Sequence, residues 1–252
     1  MIKEEDILFV TTSMVNKWSV YSQELVKKNF PNSEHLIIDG RRGWWQVWFE
    51  WIKHLPNKKQ KYFIHLDDDA FIIDKNEILK LVNLIDEKEY SISGIPDGHN
   101  HVRGSNPVSI NPFFMVGNRE HLLNSWDWNI DHKFDDKWIS EFKEEYEKGF
   151  LEDIYIDDKL KHKMSHEFCD LSFNPWGGDI FYPLFWSILK KGYRIKYLYP
   201  NYGGNILEST NPSIEKGGVE FLIHMWYTRE CDREPHLSRY NEIEKILKEK
   251  YL

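Results

Sequence analysis

The residues most informative about architecture lie at 62–72 and read Tyr62-Phe63-Ile64-His65-Leu66-Asp67-Asp68-Asp69-Ala70-Phe71-Ile72. The apolar run before the aspartates predicts a buried strand, and the apolar residues after them disfavour a solvated acidic loop. Three adjacent carboxylates repel one another unless a cation or positively charged groups compensate. On an extended backbone, Asp67 and Asp69 point to one side and Asp68 to the other. Because Mg²⁺ and Mn²⁺ prefer oxygen ligands, the sequence predicts a divalent-cation site where this strand ends.

Two similar segments precede this strand. The apolar runs at 7–10 and 35–38 each read as a short strand, and helical patterns at 17–28 and 43–55 separate the three strands. Alternation of strand and helix at this spacing is typical of a parallel α/β sheet with crossover helices. Ligands bind beyond the carboxyl ends of the strands in such sheets, and all three strands here end in polar residues.

Further elements follow towards the C-terminus. Residues 96–111 and 201–218 are rich in turn-forming residues and predict loops. Charge density rises at 127–170, which indicates a solvated helical insertion or a segment over the site. The fold class expected is α/β: a Rossmann-type, mostly parallel sheet flanked by helices, with an insertion. The remaining expected elements are helices at 77–86, about 180–191 and 236–252, and strands near 90–95, 111–116, 193–199 and 221–226.

Composition excludes several classes of protein. The chain has 252 residues, 41% of them hydrophobic, and its 33 Lys+Arg and 41 Asp+Glu give a formal net charge of −8. This composition argues against disorder, and the acidic balance disfavours nucleic-acid binding, which needs clustered Lys and Arg. We find no apolar run of the roughly 18–20 residues that span a membrane, no signal peptide, and no disulfide framework from Cys169 and Cys231. We therefore expect a cytoplasmic setting and a bacterial or viral source.

The motifs, in this order and spacing, resemble those of GT-A fold glycosyltransferases over most of residues 5–227. That family uses an Asp-x-Asp motif at a strand end to hold a divalent metal and the diphosphate of a nucleotide-sugar. The resemblance implies that Asp69 contacts the metal, that Asp67 contacts the metal or the ribose, and that Asp68 belongs to the donor site. It also implies Mn²⁺ or Mg²⁺ as cofactor and a UDP- or GDP-sugar as donor.

The first two strands resemble the part of the family's fold that binds the nucleotide. Thr11 and Thr12 end the first strand, where the family contacts the nucleotide. Asp39 ends the second strand, where a carboxylate can accept hydrogen bonds from a ribose hydroxyl or a base N–H. A tight turn and helix cap at Asp39-Gly40 is the alternative interpretation.

Two further positions match places where the family binds the charged part of the donor. Arg41 and Arg42 lie where the family commonly supplies a cation to the diphosphate, and we assign that role to Arg42; an exposed arginine pair is the alternative. His224 lies late in the chain, where many members use a histidine as a third metal ligand beside two carboxylates. A hydrogen-bonded core histidine is the alternative there.

Asp179 is the candidate general base. It follows Trp176-Gly177-Gly178 and precedes a predicted helix, a place where inverting members of the family use an acidic residue to deprotonate the acceptor hydroxyl. Capping of that helix is the alternative, since Asp is a preferred cap. The family usually has an acidic pair here, so Glu152-Asp153 is the second candidate for the base.

The aromatic residues divide into two groups. Trp176 and Trp226 lie beside the proposed base and metal ligand, and we expect them to stack on the acceptor. The tryptophans at 44, 45, 48 and 51 follow helical spacing, which predicts core packing.

The sequence thus predicts a metal-dependent, inverting transfer of a sugar from a nucleoside-diphosphate donor to a hydroxyl of a glycan or lipid-linked acceptor. We expect one domain over 1–252, with a nucleotide-binding half at 1–95 and an acceptor half at 96–235. The helix at 236–252 packs on the domain or attaches weakly to a membrane surface. One alternative is a sugar nucleotidyltransferase, which the glycine-free turn after Val10 disfavours. The other is a Ca²⁺-dependent carbohydrate-binding protein, which would normally be all-β.

Overall fold

The structure is a computed structural model that describes residues 2–42, 50–97, 106, 108–126, 136–147, 181–203 and 207–252. The strands are β1 Ile7–Ser13, β2 Glu34–Asp39, β3 Tyr62–Asp67, β4 Ala70–Ile72, β5 Tyr90–Pro96, β6 Ile110–Asn118, β7 Arg194–Tyr197, β8 Tyr199–Gly203, β9 Ser209–Ser213 and β10 Leu222–Met225. The helices are α1 Lys17–Asn29, α2 Lys75–Glu87, α3 Arg119–Ser125, α4 Asp136–Glu147, α5 Tyr182–Lys190 and α6 His236–Lys250. Residues 50–54 are also helical.

A six-stranded sheet with the order β2-β1-β3-β6-β5-β7 forms the centre of the fold. Strand β1 pairs in parallel with β2 and β3, and β5 pairs in parallel with β7, whereas β6 runs antiparallel to both of its neighbours. The apolar residues of β1 and β3 are fully buried, as expected for strands covered on both faces by helices. The expected fold class, an α/β fold with a mostly parallel sheet flanked by helices, is confirmed.

The core lies on both faces of this sheet. On one face, residues of α1 and α2 such as Val26, Leu81 and Ile85 pack against β1 and β3. On the other face, Trp51 and residues of α3 and α5 pack against β1, β3 and β5. A third cluster joins α1 to α6 and includes Trp18, which confirms that the C-terminal helix packs on the domain.

A second, four-stranded antiparallel sheet has the order β4-β10-β9-β8. It corrects two expectations. The predicted strand at 193–199 is two strands, β7 and β8, which belong to different sheets, and the predicted loop at 201–218 contains the end of β8 and all of β9. The sequence Ser209-Thr210-Asn211-Pro212-Ser213 has the polar composition of a loop, but its residues are buried between neighbouring strands. Burial and pairing override the low strand propensity of this segment.

Three helices begin at a side chain that caps the first turn. Asn16 accepts hydrogen bonds from two backbone N–H groups of α1, Asp74 does the same for α2, and Asn118 for α3. Such caps satisfy N–H groups that have no partner inside the helix. The observed helices extend those predicted at 17–28 and 77–86 by one or two residues, and α4 lies within the charged segment at 127–170. The division into two halves, at 1–95 and 96–235, remains a prediction.

Candidate active site

The carboxyl ends of three parallel strands form one edge of the central sheet. Strand pairing places Thr12 of β1 beside Asp67 of β3, and Ser13 of β1 beside Asp39 of β2. Three of the residues expected to bind the donor, Thr12, Asp39 and Asp67, are therefore neighbours along this edge. Ligands of parallel α/β sheets bind at such an edge.

The aspartate triplet crosses from one sheet to the other. Asp67 is the last residue of β3, Asp68 and Asp69 form a turn, and Ala70 begins β4 of the second sheet. The expectation that an extended backbone places Asp67 and Asp69 on one side is therefore wrong in its premise. The turn, and not strand alternation, decides where each of the three carboxylates points.

Asp68 is buried and binds the loop between β1 and α1. Its Oδ2 accepts hydrogen bonds from the backbone N–H of Met14 and the hydroxyl of Ser19, both at 2.7 Å, and from Asn16 Nδ2 at 3.4 Å. The same loop holds Val15 at a φ of 58°, a conformation that is strained for a β-branched residue. Burial raises the pKa of the Asp68 carboxyl, and the neighbouring charge of Asp69 adds to this effect. Asp68 thus holds this loop in place, and the donor contact that the resemblance implied for it stays a prediction.

Asp69 faces the second sheet and lies against His224. Strand pairing sets His224 of β10 beside Ala70 of β4, and the backbone N–H of Met225 donates to the Asp69 carbonyl at 3.1 Å. His224 Nε2 lies 3.3 Å from Asp69 Oδ1. The hydroxyl of Thr228 donates to the other oxygen, Oδ2. Two residues predicted to share a metal ion, far apart in sequence, are thus in direct contact.

Aromatic rings surround His224. Its imidazole stacks on Phe113 at a centroid distance of 4.0 Å and an interplanar angle of 4°, and it meets Trp226 edge-on at 4.3 Å. These contacts fix the plane of the ring. The Nδ1 atom is buried and has no hydrogen-bond partner among the residues that the structure describes.

The Asp69–His224 pair fits a divalent cation chemically. Adjacent ligands of an octahedral ion with bonds near 2.1 Å are roughly 3.0 Å apart, close to the 3.3 Å observed between Oδ1 and Nε2. Within the described parts of the chain, no three His, Cys, Asp or Glu side chains come close enough to hold one ion. The pair therefore supplies two protein ligands, which suits an ion that keeps waters and substrate oxygens as its other ligands.

The two threonines of β1 have different environments. Thr11 is fully buried, and its hydroxyl pairs with His35 Nε2 at 2.8 Å. Thr12 is partly exposed at the sheet edge, and its hydroxyl pairs with His65 Nε2 at 3.2 Å. Successive side chains of a strand point to opposite faces, so Thr11 is turned into the core. Thr11 therefore has no exposed surface at which to meet a ligand, whereas Thr12 does; the nucleotide contact of the two threonines stays a prediction.

His65 is a site residue that the sequence reasoning did not single out. Its Nδ1 lies 2.6 Å from the carbonyl oxygen of Pro112 in β6, and its Nε2 faces Thr12. Burial lowers the pKa of His65 to about 4, so the ring is neutral at pH 7. With Nδ1–H donating to the carbonyl, Nε2 accepts the Thr12 hydroxyl proton. The signal in the sequence is a histidine inside an otherwise apolar strand that ends at the aspartates.

Asp39 is bound by the neighbouring arginine. Arg41 donates from Nε to Asp39 Oδ1 at 2.9 Å and from Nη2 to Oδ2 at 2.7 Å, and the Arg41 backbone N–H also donates to Oδ1. A Cβ on Gly40 would lie 3.0 Å from Thr12 Cγ2, so this glycine lets β1 and β2 approach closely at the site. The side chain of Arg42 lies outside the described residues.

A small cavity of about 10 Å³ lies between the two sheets, next to the aromatic rings that contact His224. Trp226 and Phe113 line it together with Asn111 and residues of β5, β8 and β9. The indole N–H of Trp226 donates to Thr210 Oγ1 at 2.8 Å, which fixes the ring. Trp226 thus lies where its ring can contact a ligand that binds next to Asp69 and His224.

Several predicted residues lie outside the described residues. These are Asp179, Trp176, the alternative pair Glu152-Asp153, and the tryptophans at 44, 45 and 48. The next described tryptophan, Trp51, is buried in the core, as its helical spacing predicted.

None of the helices in the described segments has the length and apolar character needed to cross a bilayer.

Comparisons with known proteins concern the fold. No protein-family model matches the chain, and no curated protein matches it. Among solved structures, an active-site mutant of LgtC is 11% identical, with a TM-score of 0.43 and coverage of 95% of both chains. A197 from STIV is 17% identical, with a TM-score of 0.38, and the match covers 48% of this chain and 69% of A197.

The mannosyltransferase PcManGT from Pyrobaculum calidifontis, in complex with GDP-Man and Mn²⁺, is 9% identical, with a TM-score of 0.35. That match covers 47% of this chain and 46% of PcManGT. A glycosyltransferase is thus among the solved structures that the chain resembles, as the sequence predicted. With TM-scores of 0.43, 0.38 and 0.35, these likenesses decide no function for this chain.

Proposed function

We propose that the protein is a metal-dependent glycosyltransferase that moves a sugar from a nucleoside-diphosphate sugar to a hydroxyl of a glycan or lipid-linked acceptor. The observation that supports this most is the contact between Asp69 and His224, 3.3 Å apart, beside the carboxyl edge of β1, β2 and β3. A carboxylate and an imidazole supplied by two sheets, next to a row of polar strand ends, suit a diphosphate held through a divalent cation.

We assign the donor contacts to residues on the sheet edge. Thr12 and Asp39 face the nucleoside in this proposal, because Thr12 is the next-to-last residue of β1 and Asp39 is the last residue of β2. Since the Thr12 proton is donated to His65, the Thr12 oxygen offers only lone pairs to a ligand and prefers a ribose hydroxyl or a base N–H. Arg42 is assigned to the diphosphate, as a cation three residues beyond the end of β2.

Asp69 and His224 would hold Mn²⁺ or Mg²⁺. The ion would neutralise negative charge that develops on the leaving diphosphate. Asp67, the last residue of β3, is assigned to the ribose of the donor, because no third His, Cys, Asp or Glu side chain among the described residues lies close enough to share an ion with the pair. The donor is a UDP- or GDP-sugar.

Asp179 is proposed as the general base of an inverting displacement. The acceptor oxygen forms a bond to the anomeric carbon as the bond from that carbon to the diphosphate oxygen breaks, and Asp179 takes the acceptor proton. Trp226 and Trp176 are assigned to the acceptor sugar, on which their rings would stack. A cytoplasmic setting and a bacterial or viral source belong to the same proposal.

Thermal unfolding with added ligands tests the assignment. We expect UDP or GDP, or the corresponding sugar nucleotides, to raise the Tm in the presence of Mn²⁺ and not in the presence of EDTA. Asp69→Asn should abolish most of this rise and the hydrolysis of the donor. Asp232→Asn, which removes a carboxylate whose side chain is 76% exposed, is the matched control and should behave as the parent.

Two results would contradict the proposal. One is a rise in Tm with nucleotide that is equal in Asp69→Asn and in the parent. The other is a rise with Ca²⁺ and free sugars but with none of the nucleotides, which would indicate carbohydrate binding without transfer.

A further inference from the structure

A hydrogen-bonded series of two hydroxyl groups and one carboxylate connects the C-terminal helix to Asp69. The phenol of Tyr240, on α6, lies 2.7 Å from Thr228 Oγ1, and Thr228 in turn donates to Asp69 Oδ2. Tyr240 is 1% exposed. This series of hydrogen bonds therefore runs from the interior of the protein to the carboxylate that contacts His224.

The direction of these hydrogen bonds follows from proton counting. An ionised carboxylate only accepts, so the single hydroxyl proton of Thr228 goes to Asp69. Thr228 Oγ1 then accepts the proton of Tyr240. Both donors point towards the carboxylate, and hydrogen bonds aligned in this way strengthen one another.

Packing holds both donors in place. Trp18 of α1 packs against the Tyr240 ring at a centroid distance of 4.6 Å. Tyr227, just before Thr228, has a φ of 69°, an uncommon backbone conformation for a residue other than glycine. This turn follows β10 directly and leads the chain back over Asp69. Strained backbone of this kind persists where the surrounding structure fixes it, often beside a functional site.

We propose that Thr228 and Tyr240 are positioning residues that orient the Asp69 carboxylate for a divalent cation. This inference rests on the proposed function, since it assumes that Asp69 is a metal ligand. With Oδ2 held by Thr228, the oxygen Oδ1 is the one directed at His224 Nε2. The C-terminal helix thereby contributes to metal affinity although it supplies no ligand.

Other hydrogen bonds also join α1 to α6, and they provide a control. Tyr21 of α1 donates its hydroxyl to Glu244 Oε1 of α6 at 2.6 Å. Tyr21→Phe and Tyr240→Phe each remove one tyrosine hydroxyl from the same pair of helices. Of the two hydroxyls, only that of Tyr240 is linked to Asp69 by hydrogen bonds through Thr228. A merely structural role for Tyr240 predicts that the two variants behave alike.

The experiment measures Mn²⁺ binding to the apo chain by the EPR signal of free Mn²⁺, with Tm recorded for each variant. Loss of a hydrogen-bonding partner of a metal ligand typically weakens affinity about 10–100-fold. We expect Thr228→Val to raise the Kd for Mn²⁺ about tenfold or more, Tyr240→Phe to raise it by a smaller factor, and Thr228→Ser to restore the parental value. Tyr21→Phe should lower Tm and leave the Kd unchanged.

The double variant tests whether Tyr240 acts on Asp69 through Thr228. Because Tyr240 acts through Thr228, Thr228→Val combined with Tyr240→Phe should bind Mn²⁺ no more weakly than Thr228→Val alone. Unchanged Mn²⁺ affinity in Thr228→Val and Tyr240→Phe, with Asp69→Asn still impaired, overturns this inference and leaves the proposed function intact. Equal binding by Asp69→Asn and the parent overturns both. Should Thr228→Val fail to fold, Tyr240→Phe against Tyr21→Phe decides alone.

Discussion

Replacing Asp68 by alanine should destabilise the protein, because this carboxylate is an internal anchor. Its Oδ2 is the acceptor for the Met14 N–H and the Ser19 hydroxyl, each at 2.7 Å, and Asp68 is only 6% exposed. Asp68→Ala leaves both donors without this acceptor. The two residues lie on either side of Val15, whose left-handed backbone conformation depends on the anchored loop.

The loss of stability expected in Asp68→Ala is the difference between two opposing contributions. Hydrogen bonds to a charged group contribute about 1.5–3 kcal/mol each. Removing the carboxylate also relieves its burial and its repulsion by Asp69, the two causes that raise its pKa. We therefore expect a net loss of about 2–4 kcal/mol, which corresponds to a Tm lower by about 5–15 °C for a chain of this length. Asp68→Asn keeps an acceptor oxygen and should lose about 1 kcal/mol.

Urea and thermal unfolding of the parent, Asp68→Ala, Asp68→Asn and Asp232→Ala measure these differences. Asp232 is an exposed carboxylate, so its replacement should leave stability unchanged. A Tm for Asp68→Ala within about 2 °C of the parent would refute the anchoring role, since it is less than half of the smallest shift expected. Greater destabilisation by Asp68→Asn than by Asp68→Ala would refute it as well.

Other consequences concern pH and close packing at the sheet edge. Burial lowers the pKa of both His35 and His65 to about 4, so between pH 6.5 and pH 4 the unfolded chain binds protons that the folded protein does not. The stability that these neutral histidines contribute is fully present above pH 6.5 and falls as the pH drops through this window. For His65 the loss in the free energy of unfolding is on the order of 2 kcal/mol at pH 5. Urea unfolding at pH 7 and pH 5 should show this loss, and His65→Gln should reduce it. Gly40→Ala places a Cβ 3.0 Å from Thr12 Cγ2, so Thr12 must shift by a few tenths of an ångström. We expect this variant to fold with a small loss of Tm and to show a smaller Tm rise with nucleotide and Mn²⁺; an undiminished rise would exclude Thr12 from the nucleotide site.

The sequence alone determined the features that depend on local pattern. Alternating apolar runs and helical spacing predicted β1, β2, β3, α1 and α2 to within a few residues, because burial of a continuous run or of one helical face leaves a periodic trace. The place of Asp67 at the end of β3 followed from the same pattern. Parallel pairing of these strands then implied that Thr12, Asp39 and Asp67 share one edge.

Contacts between distant parts of the chain were decided only by the tertiary structure. The division of the triplet, with Asp68 turned into the core and Asp69 towards His224, depends on a turn that joins two sheets, and a run of three identical residues carries no signal for such a turn. The pairing of the polar strand β9 with β10 and the hydrogen bond between Tyr240 and Thr228 likewise join residues 12 or more positions apart. Side-chain type fixes which bonds a residue can form, whereas the partner it finds depends on how the whole chain packs, which no local window of sequence contains.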